Sequence, residues 1–255
     1  MQSGQLLYIM ANMKKVIYLD NAATTPVRKE VILAMKPYWS EKYGNPSSIT
    51  KGGVIAKQAV EEARRNIANI LKARPQEIIF TASGTESNNL AILGVVNNLE
   101  QKGVKISSMH FITTNIEHSS VTECFKELER RGGKVDYLPV KETGLVDTKE
   151  LRKLIKTNTV LVSVGYANNE IGVIQPIKEI AKEIRHARKT NKISTGEYPY
   201  FHSDASQAGQ YCNLGTNELG VDLITFDAQK IYGPKGIGIL YIKTGVNISP
   251  ILFGG

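Results

Sequence analysis

The sequence predicts an α/β fold, a mixed and mostly parallel sheet flanked by helices. Short apolar runs bounded by turn formers alternate along the chain with longer segments of helical spacing. The run Thr159 to Val164 is continuous and β-branched, as expected of a strand buried on both faces. The length, 255 residues, is enough for one large domain with a substantial core. Strands spaced by helices imply crossover connections and a largely parallel sheet. In such sheets ligands bind beyond the carboxyl ends of the strands, so polar residues placed directly after strands carry the functional question.

Taken in order, residues 1–15 read as an N-terminal extension. Met1 to Met13 lack the charged n-region and long apolar stretch of a signal peptide, and Met10 or Met13 serves equally well as a start. Residues 16–255 read as the large domain. Val16 to Leu19 is a short apolar run broken by Asp20-Asn21, and Val27 to Trp39 has helical spacing. The turn formers of Tyr43-Gly44-Asn45-Pro46-Ser47-Ser48 make a loop. Val54 to Lys72 is a long amphipathic helix with Ile55, Ala59, Ala63, Ile67 and Ile70 on its apolar side. Glu77 to Thr81 is strand-like, and a helix runs from Gly84 to about Leu99. A strand at His110 to Thr114 precedes a helix at Ser119 to Arg131. A strand at Lys134 to Val140 precedes a helix capped by Asp147 and running to Lys156. After the strand at 159–164, Pro176 opens a helix to Lys189, a favoured place for proline. Strands then end at Phe201 to Asp204, at Val221 to Phe226 and at Ile237 to Ile242.

Composition narrows the function classes. The net charge is +8, but Lys and Arg are interleaved with Glu, as in Glu61-Glu62-Ala63-Arg64-Arg65, without aromatic alternation. That pattern argues against nucleic acid as the main partner. No apolar run reaches the ~18 residues of a membrane span. Cys124 and Cys212 form no CxxC pair, which argues against a metal knuckle and suits a cytoplasmic location.

Three segments are candidates for chemistry. In Phe80 to Asn89 a strand ends in small residues and a helix begins. Gly84 and Thr85 there form either an anion cradle at a helix N-terminus or an ordinary capped start. In Phe201 to Gln207 a strand ends at Asp204, either an acid facing a pocket or a capping aspartate. In Thr225 to Gly236 an apolar strand runs into Lys230 and then Gly233-Pro234. Lys230 is either an exposed lysine or one placed to form a Schiff base.

Cradle, acid and lysine in that order resemble the fold-type I pyridoxal 5'-phosphate (PLP) enzymes of the class V aminotransferase group, and within it the cysteine desulfurases. The matching stretches are Tyr18 to Pro26, Gly44 to Ser48, Phe80 to Asn89, Glu117-His118, Asn168 to Gly172, Asp204 to Gln207, and Lys230 to Gly236. The resemblance implies that Lys230 holds the cofactor covalently and that Asp204 partners its pyridine nitrogen. It implies that Gln207 bonds the phenolate oxygen and that His118 stacks on the ring and assists proton transfer. The bland alternative for His118 is a buried, hydrogen-bonded histidine. Asn169 matches a residue near cofactor and substrate carboxylate, and Gly84 and Thr85 match the phosphate cradle. His110, His186 and His202 match nothing catalytic and read as structural or exposed. The implied activity converts L-cysteine to L-alanine and passes sulfur to an enzyme cysteine, then to an acceptor protein in iron–sulfur cluster assembly. A cytoplasmic homodimer is implied, with no metal.

The sequence departs from the family at several points. Where the family reads Ser-Gly-His-Lys, this chain reads Asp227-Ala228-Gln229-Lys230. Gln229 still offers an amide donor, but an ionised Asp227 repels a phosphate by about 4 kcal/mol per charge pair at ~4 Å and an effective dielectric near 20. Asp227 is therefore expected to point elsewhere, pair with a cation, or mark an altered cup. Thr50 stands where the family often has histidine. The chain stops at Leu252-Phe253-Gly254-Gly255, where the family continues into a small C-terminal domain bearing its catalytic cysteine and a substrate-binding arginine. Cys124 and Cys212 match neither and read as structural. A C-terminally incomplete chain, inactive alone and with apolar surface uncovered, is the expectation. Another class V activity (a selenocysteine lyase or aminotransferase) and a non-catalytic scaffold are the alternatives.

Overall fold

A computed structural model describes residues 17–190 and 198–254. Residues 1–15, read as an extension, lie outside the described residues. The helices are α1 (Lys29–Met35), α2 (Pro37–Ser40), α3 (Lys51–Leu71), α4 (Gly84–Gln101), α5 (Ser119–Arg130), α6 (Thr148–Leu154), α7 (Ile177–Thr190) and α8 (Thr216–Leu219). The strands are β1 (Ile78–Thr81), β2 (His110–Thr114), β3 (Lys134–Leu138), β4 (Thr159–Ser163), β5 (Ala167–Asn168), β6 (Val173–Ile174), β7 (Tyr200–Asp204), β8 (Leu223–Asp227) and β9 (Gly238–Ile242).

Seven strands form one sheet in the order β1-β9-β8-β7-β4-β2-β3. The pairs from β8 through β7, β4 and β2 to β3 are parallel, and β9 is antiparallel to both of its neighbours. The mixed, mostly parallel sheet predicted by the alternation is thus present. Side chains alternate across it as strand geometry requires. Phe111, Leu161, Tyr200, Leu223 and Leu240 join one apolar layer with Ile92, Val96, Phe125 and Leu128 of α4 and α5. Ile112, Val162, Phe201, Ile224 and Tyr241 join the other with Ala68 and Leu71 of α3, Leu151 of α6 and Ile180 and Ile184 of α7. Both faces are covered, which is why β2, β4 and β8 are buried along their whole length.

Helix starts are chemically marked. Thr50 accepts from the Gly53 amide, Ser83 from Glu86, and Asp147 from Lys149, each satisfying an otherwise unpaired helix N–H. Thr50, the position that departs from the family, thus has a capping role.

Some expectations need correction. The helical spacing at 27–39 resolves into α1 and α2, because Pro37 lacks the N–H that would continue α1 and instead opens α2. The apolar run at 16–19 forms no strand over its described residues 17–19. The hairpin of β5 and β6 and the single turn of α8 carry too few residues for a periodic signal. Of the histidines outside the motifs, His110 and His202 are fully buried and hydrogen-bonded, while His186 is exposed. Apolar side chains remain uncovered at Leu19 (88% exposed), Ile49 (98%) and Phe253 (86%). No helix among the described residues is long and apolar enough to cross a membrane.

Phe201 is wholly enclosed in the sheet centre. Its replacement by alanine is expected to lower unfolding free energy by about 3–5 kcal/mol, seen as an earlier midpoint in urea at unchanged slope. A loss below ~1 kcal/mol would contradict a close-packed centre there.

Candidate active site

Because β9 alone runs against the rest, β1, β2, β4, β7 and β8 all end on one edge of the sheet. A cleft of about 290 Å³ opens over that edge. Residues at or just beyond the strand ends supply its lining. Gly84 and Thr85 come from the head of α4 after β1, and His118 from the cap of α5 after β2. Asn169 lies in the β5–β6 turn, Asp204 ends β7, Gln207 comes three residues later, and Lys230 lies just past β8. All seven residues singled out in the sequence line this one cleft.

Lys230 stands in a short turn held by the chain's N-terminal segment. Its Nζ donates to the carbonyl oxygens of Ala22 (2.8 Å) and Ala23 (2.7 Å). The Thr25 amide donates to the Gln229 carbonyl, the Tyr232 amide to Thr25 Oγ1, and the Arg28 amide to the Tyr232 carbonyl. Tyr232 adopts a left-handed φ of +61°, stabilised by these bonds and by the Arg28 guanidinium over its ring. Gln207 Nε2 donates to the same Ala22 carbonyl (2.9 Å).

Asp204 and His118 are joined by residues that sequence reasoning missed. Asn88 Nδ2 donates to Asp204 Oδ2 (2.7 Å) and to Ser120 Oγ (2.8 Å). Ser120 Oγ lies 2.8 Å from His118 Nδ1, which also accepts from the Ser120 amide. An Nδ1 that accepts a backbone N–H leaves the proton of a neutral ring on Nε2. His118 is therefore both the N-cap of α5 and a cleft residue, so the alternative of a buried histidine does not hold: it is exposed. Asn88 stands four residues after Gly84, one helical turn on the same face, and that spacing was the available signal. His202, one strand residue pair below Asp204, bonds Ser163 and Thr225. Burial drives its pKa down to about 4, with Asp204 opposing, so the ring is neutral.

Glu117 is the other residue missed as a site member. Its carboxyl accepts from Thr114 Oγ1 (2.7 Å) and from the Gly165 amide (3.0 and 3.1 Å), enclosed although the residue as a whole is partly exposed. Burial raises its pKa to about 7, with the negative Asp204 adding to the rise and the hydrogen bonds opposing it.

The ring end of the cleft fits a pyridoxal cofactor. It offers an amine with no carboxylate partner among the described residues, a carboxylate across from it, and a buried Asn88 Oδ1 that lacks a protein partner. The phosphate end fits poorly. Of the three expectations for Asp227, the first two fail: it neither points away nor pairs with a cation among the described residues, and it enters the cup. Its Oδ2 accepts from the Gly84 amide (3.4 Å) at the head of α4, and Gln229 spends its amide on the same carboxylate. Cys124 and Cys212 do not line the cleft. Burial raises the Cys124 thiol to about 12 and shifts Cys212 upward too, consistent with structural roles.

Residues 17–255 match the model of the aminotransferase class-V family. The chain is 48% identical over 244 residues to the cysteine desulfurase IscS of Dictyoglomus turgidum, covering 95% of this chain and 58% of that protein. To the cysteine desulfurase IscS of Methanosarcina thermophila it is 46% identical, covering 94% and 56%. Among solved structures, a NifS-like protein superposes with a TM-score of 0.86 at 40% identity, over 94% of this chain and 62% of the other. SspA in complex with cysteine superposes at 0.84 and 36%, over 94% and 65%. The chain thus spans less than two thirds of each of these relatives.

A carboxyl whose pKa is raised on folding binds its proton more tightly in the native state, so its contribution to stability is present at low pH and lost as pH rises. Relative to Glu117→Gln, the wild type is expected to lose stability between pH 4.5 and about 7 and to level off above. Urea midpoints of both proteins across that range measure it; a difference independent of pH would mean that Glu117 is ionised throughout.

Proposed function

The chain belongs to the class-V aminotransferase family, and we propose that it forms the cofactor-binding large domain of a PLP-dependent cysteine desulfurase. The proposed reaction takes L-cysteine to L-alanine: the substrate C–S bond breaks, a proton replaces sulfur on the β-carbon, and the sulfur joins an enzyme cysteine thiolate as a persulfide. The family's cofactor is PLP. The observation that carries the reading is the convergence of Gly84, Thr85, His118, Asn169, Asp204, Gln207 and Lys230, from separate elements, on one cleft.

Each residue has a role within this reading. Lys230 Nζ would hold the cofactor covalently, and its amine is the group placed to move a proton at the substrate α-carbon. The Asp204 carboxylate, oriented by Asn88 and by the Ser206 amide (2.9 Å), keeps the pyridine nitrogen protonated. The chemistry supplied by the bound cofactor is a sink for negative charge developing at that carbon. His118, with Nδ1 held by Ser120, presents Nε2 as a proton carrier beside the ring. Gln207 and Asn169 would orient the phenolate oxygen and the substrate carboxylate. The sulfur-accepting cysteine is neither Cys124 nor Cys212, given their place outside the cleft and their raised pKa. Homodimer formation, supported by the uncovered apolar side chains, and a sulfur-acceptor protein are part of the proposal. A cytoplasmic setting and a role in iron–sulfur cluster assembly belong to it as well.

Incubation with the cofactor and borohydride reduction is expected to fix its mass on the peptide containing Lys230, and Lys230→Ala is expected to abolish both that increment and the visible band. A correctly folded wild type that acquires neither, with PLP or with pyridoxal, would leave the scaffold reading. Residues 1–255 alone are expected to release no sulfide from L-cysteine above the rate of free PLP; sustained turnover would show that the chain contains its own sulfur acceptor.

A further inference from the structure

The cradle at the head of α4 already holds an anion, the chain's own Asp227. Its carboxylate accepts from the Gly84 amide on one side. From the other side the Gln229 amide N–H reaches Oδ1 (3.1 Å) and Gln229 Nε2 reaches Oδ2 (3.1 Å). Three of the donors that a bound anion would use here, the Gly84 amide and the main-chain and side-chain amides of Gln229, are thus directed onto a side chain. Asp227 is only 8% exposed, and no Lys or Arg pairs with it among the described residues. The space beside Gly84 is also taken. A Cβ built there would meet Asp227 Cβ at 3.1 Å, Asp227 Oδ2 at 3.2 Å and Ser206 Oγ at 3.2 Å. A phosphate dianion entering this corner must displace the carboxylate, lose the donors to it, or lie against it as a like charge in a site of reduced dielectric. A neutral hydroxymethyl group meets none of these obstacles, since its O–H donates to the carboxylate.

We propose that Asp227 serves as the built-in anion of this cradle and that the cleft favours pyridoxal, the ring aldehyde bearing a free hydroxymethyl group, over its phosphate ester. The proposal rests on the reading of the cleft as a pyridoxal-type site with Lys230 as anchor. It assigns the ring end to cofactor binding and the α4 end to selection between the phosphorylated and unphosphorylated forms.

The test is a pair of binding titrations, with PLP and with pyridoxal, on the 255-residue wild type, Asp227→Asn and Asp227→Ser. Visible absorbance and the borohydride-fixed mass on the Lys230 peptide report binding without any need for turnover. Asp227→Asn keeps the shape and the bond from the Gln229 amide, while Asp227→Ser removes the carboxyl altogether. Both are expected to raise the preference for PLP over pyridoxal by about a thousandfold relative to wild type, on the scale of one removed charge pair. Comparison between variants cancels the internal hemiacetal that free pyridoxal forms. A wild type that prefers PLP, or a preference changing by less than about threefold in both variants, overturns the proposal and leaves the proposed function standing. Fixation of neither ligand on Lys230 in any folded variant, checked by circular dichroism, overturns the proposed function and this proposal with it.

Discussion

The cleft depends on one strand that runs the wrong way. β9 lies between β1 and β8 and is antiparallel to both, so β1 and β8 end on the same edge with Gly238 between them. Register then pairs Gly238 with Thr81 on one side and Asp227 on the other. Any side chain at Gly238 would collide with the main chain of Ser83 at 2.4 Å. The missing Cβ lets the turn after β1 fold down over β9, which brings the first amide of α4 across to Asp227. Strand order and this missing Cβ together make neighbours of the strand end that carries the lysine and the helix start that carries the cradle, although Gly84 and Asp227 lie 143 residues apart in the chain.

Charge in the cleft is unbalanced toward the negative. Glu117, Glu170, Asp204 and Asp227 all line it, against the one amine of Lys230. Four ionised carboxyls around so small a volume would repel one another strongly. Two devices lower the cost. Glu117 gives up its charge over part of the ordinary pH range, because burial of its carboxyl outweighs the hydrogen bonds from Thr114 and Gly165 that favour the ionised form. Asp227 keeps to the far corner, where the head of α4 presents an N–H and the positive end of the helix dipole. Asp204 remains as the carboxylate facing the centre, and the amides of Asn88 and Ser206 occupy its oxygens on the protein side.

The sheet was legible in the sequence because nearly every strand has its own apolar run closed by a turn former, and element limits fall within a few residues of those expected. The limits that moved did so where a single residue decides the backbone, as at Pro37. Lys230, Asp204 and Gly84 were legible because each stands at or directly after a strand end. Asn88, Ser120 and Glu117 were less so, since their importance lies in partners distant in sequence: Asn88 reaches Asp204 across 116 residues, and Glu117 reaches Gly165 across 48. Asp227 shows the limit most clearly. Its charge was visible as an oddity, but only the fold reveals that the carboxylate faces the α4 amide rather than solvent or a cation.

The resting place of the lysine has a consequence for how the chain tolerates change. Both acceptors of the Lys230 amine, at Ala22 and Ala23, are main-chain carbonyl oxygens. Every amino acid carries that oxygen, so an exchange of side chain at either position leaves the acceptors in the polypeptide. The threat to them is a change in chain length, because inserting or deleting one residue near position 22 would slide the carbonyls out of reach while Thr25 and Arg28 stay pinned to the lysine turn. Across a set of descendants of this sequence, that stretch should keep its residue count.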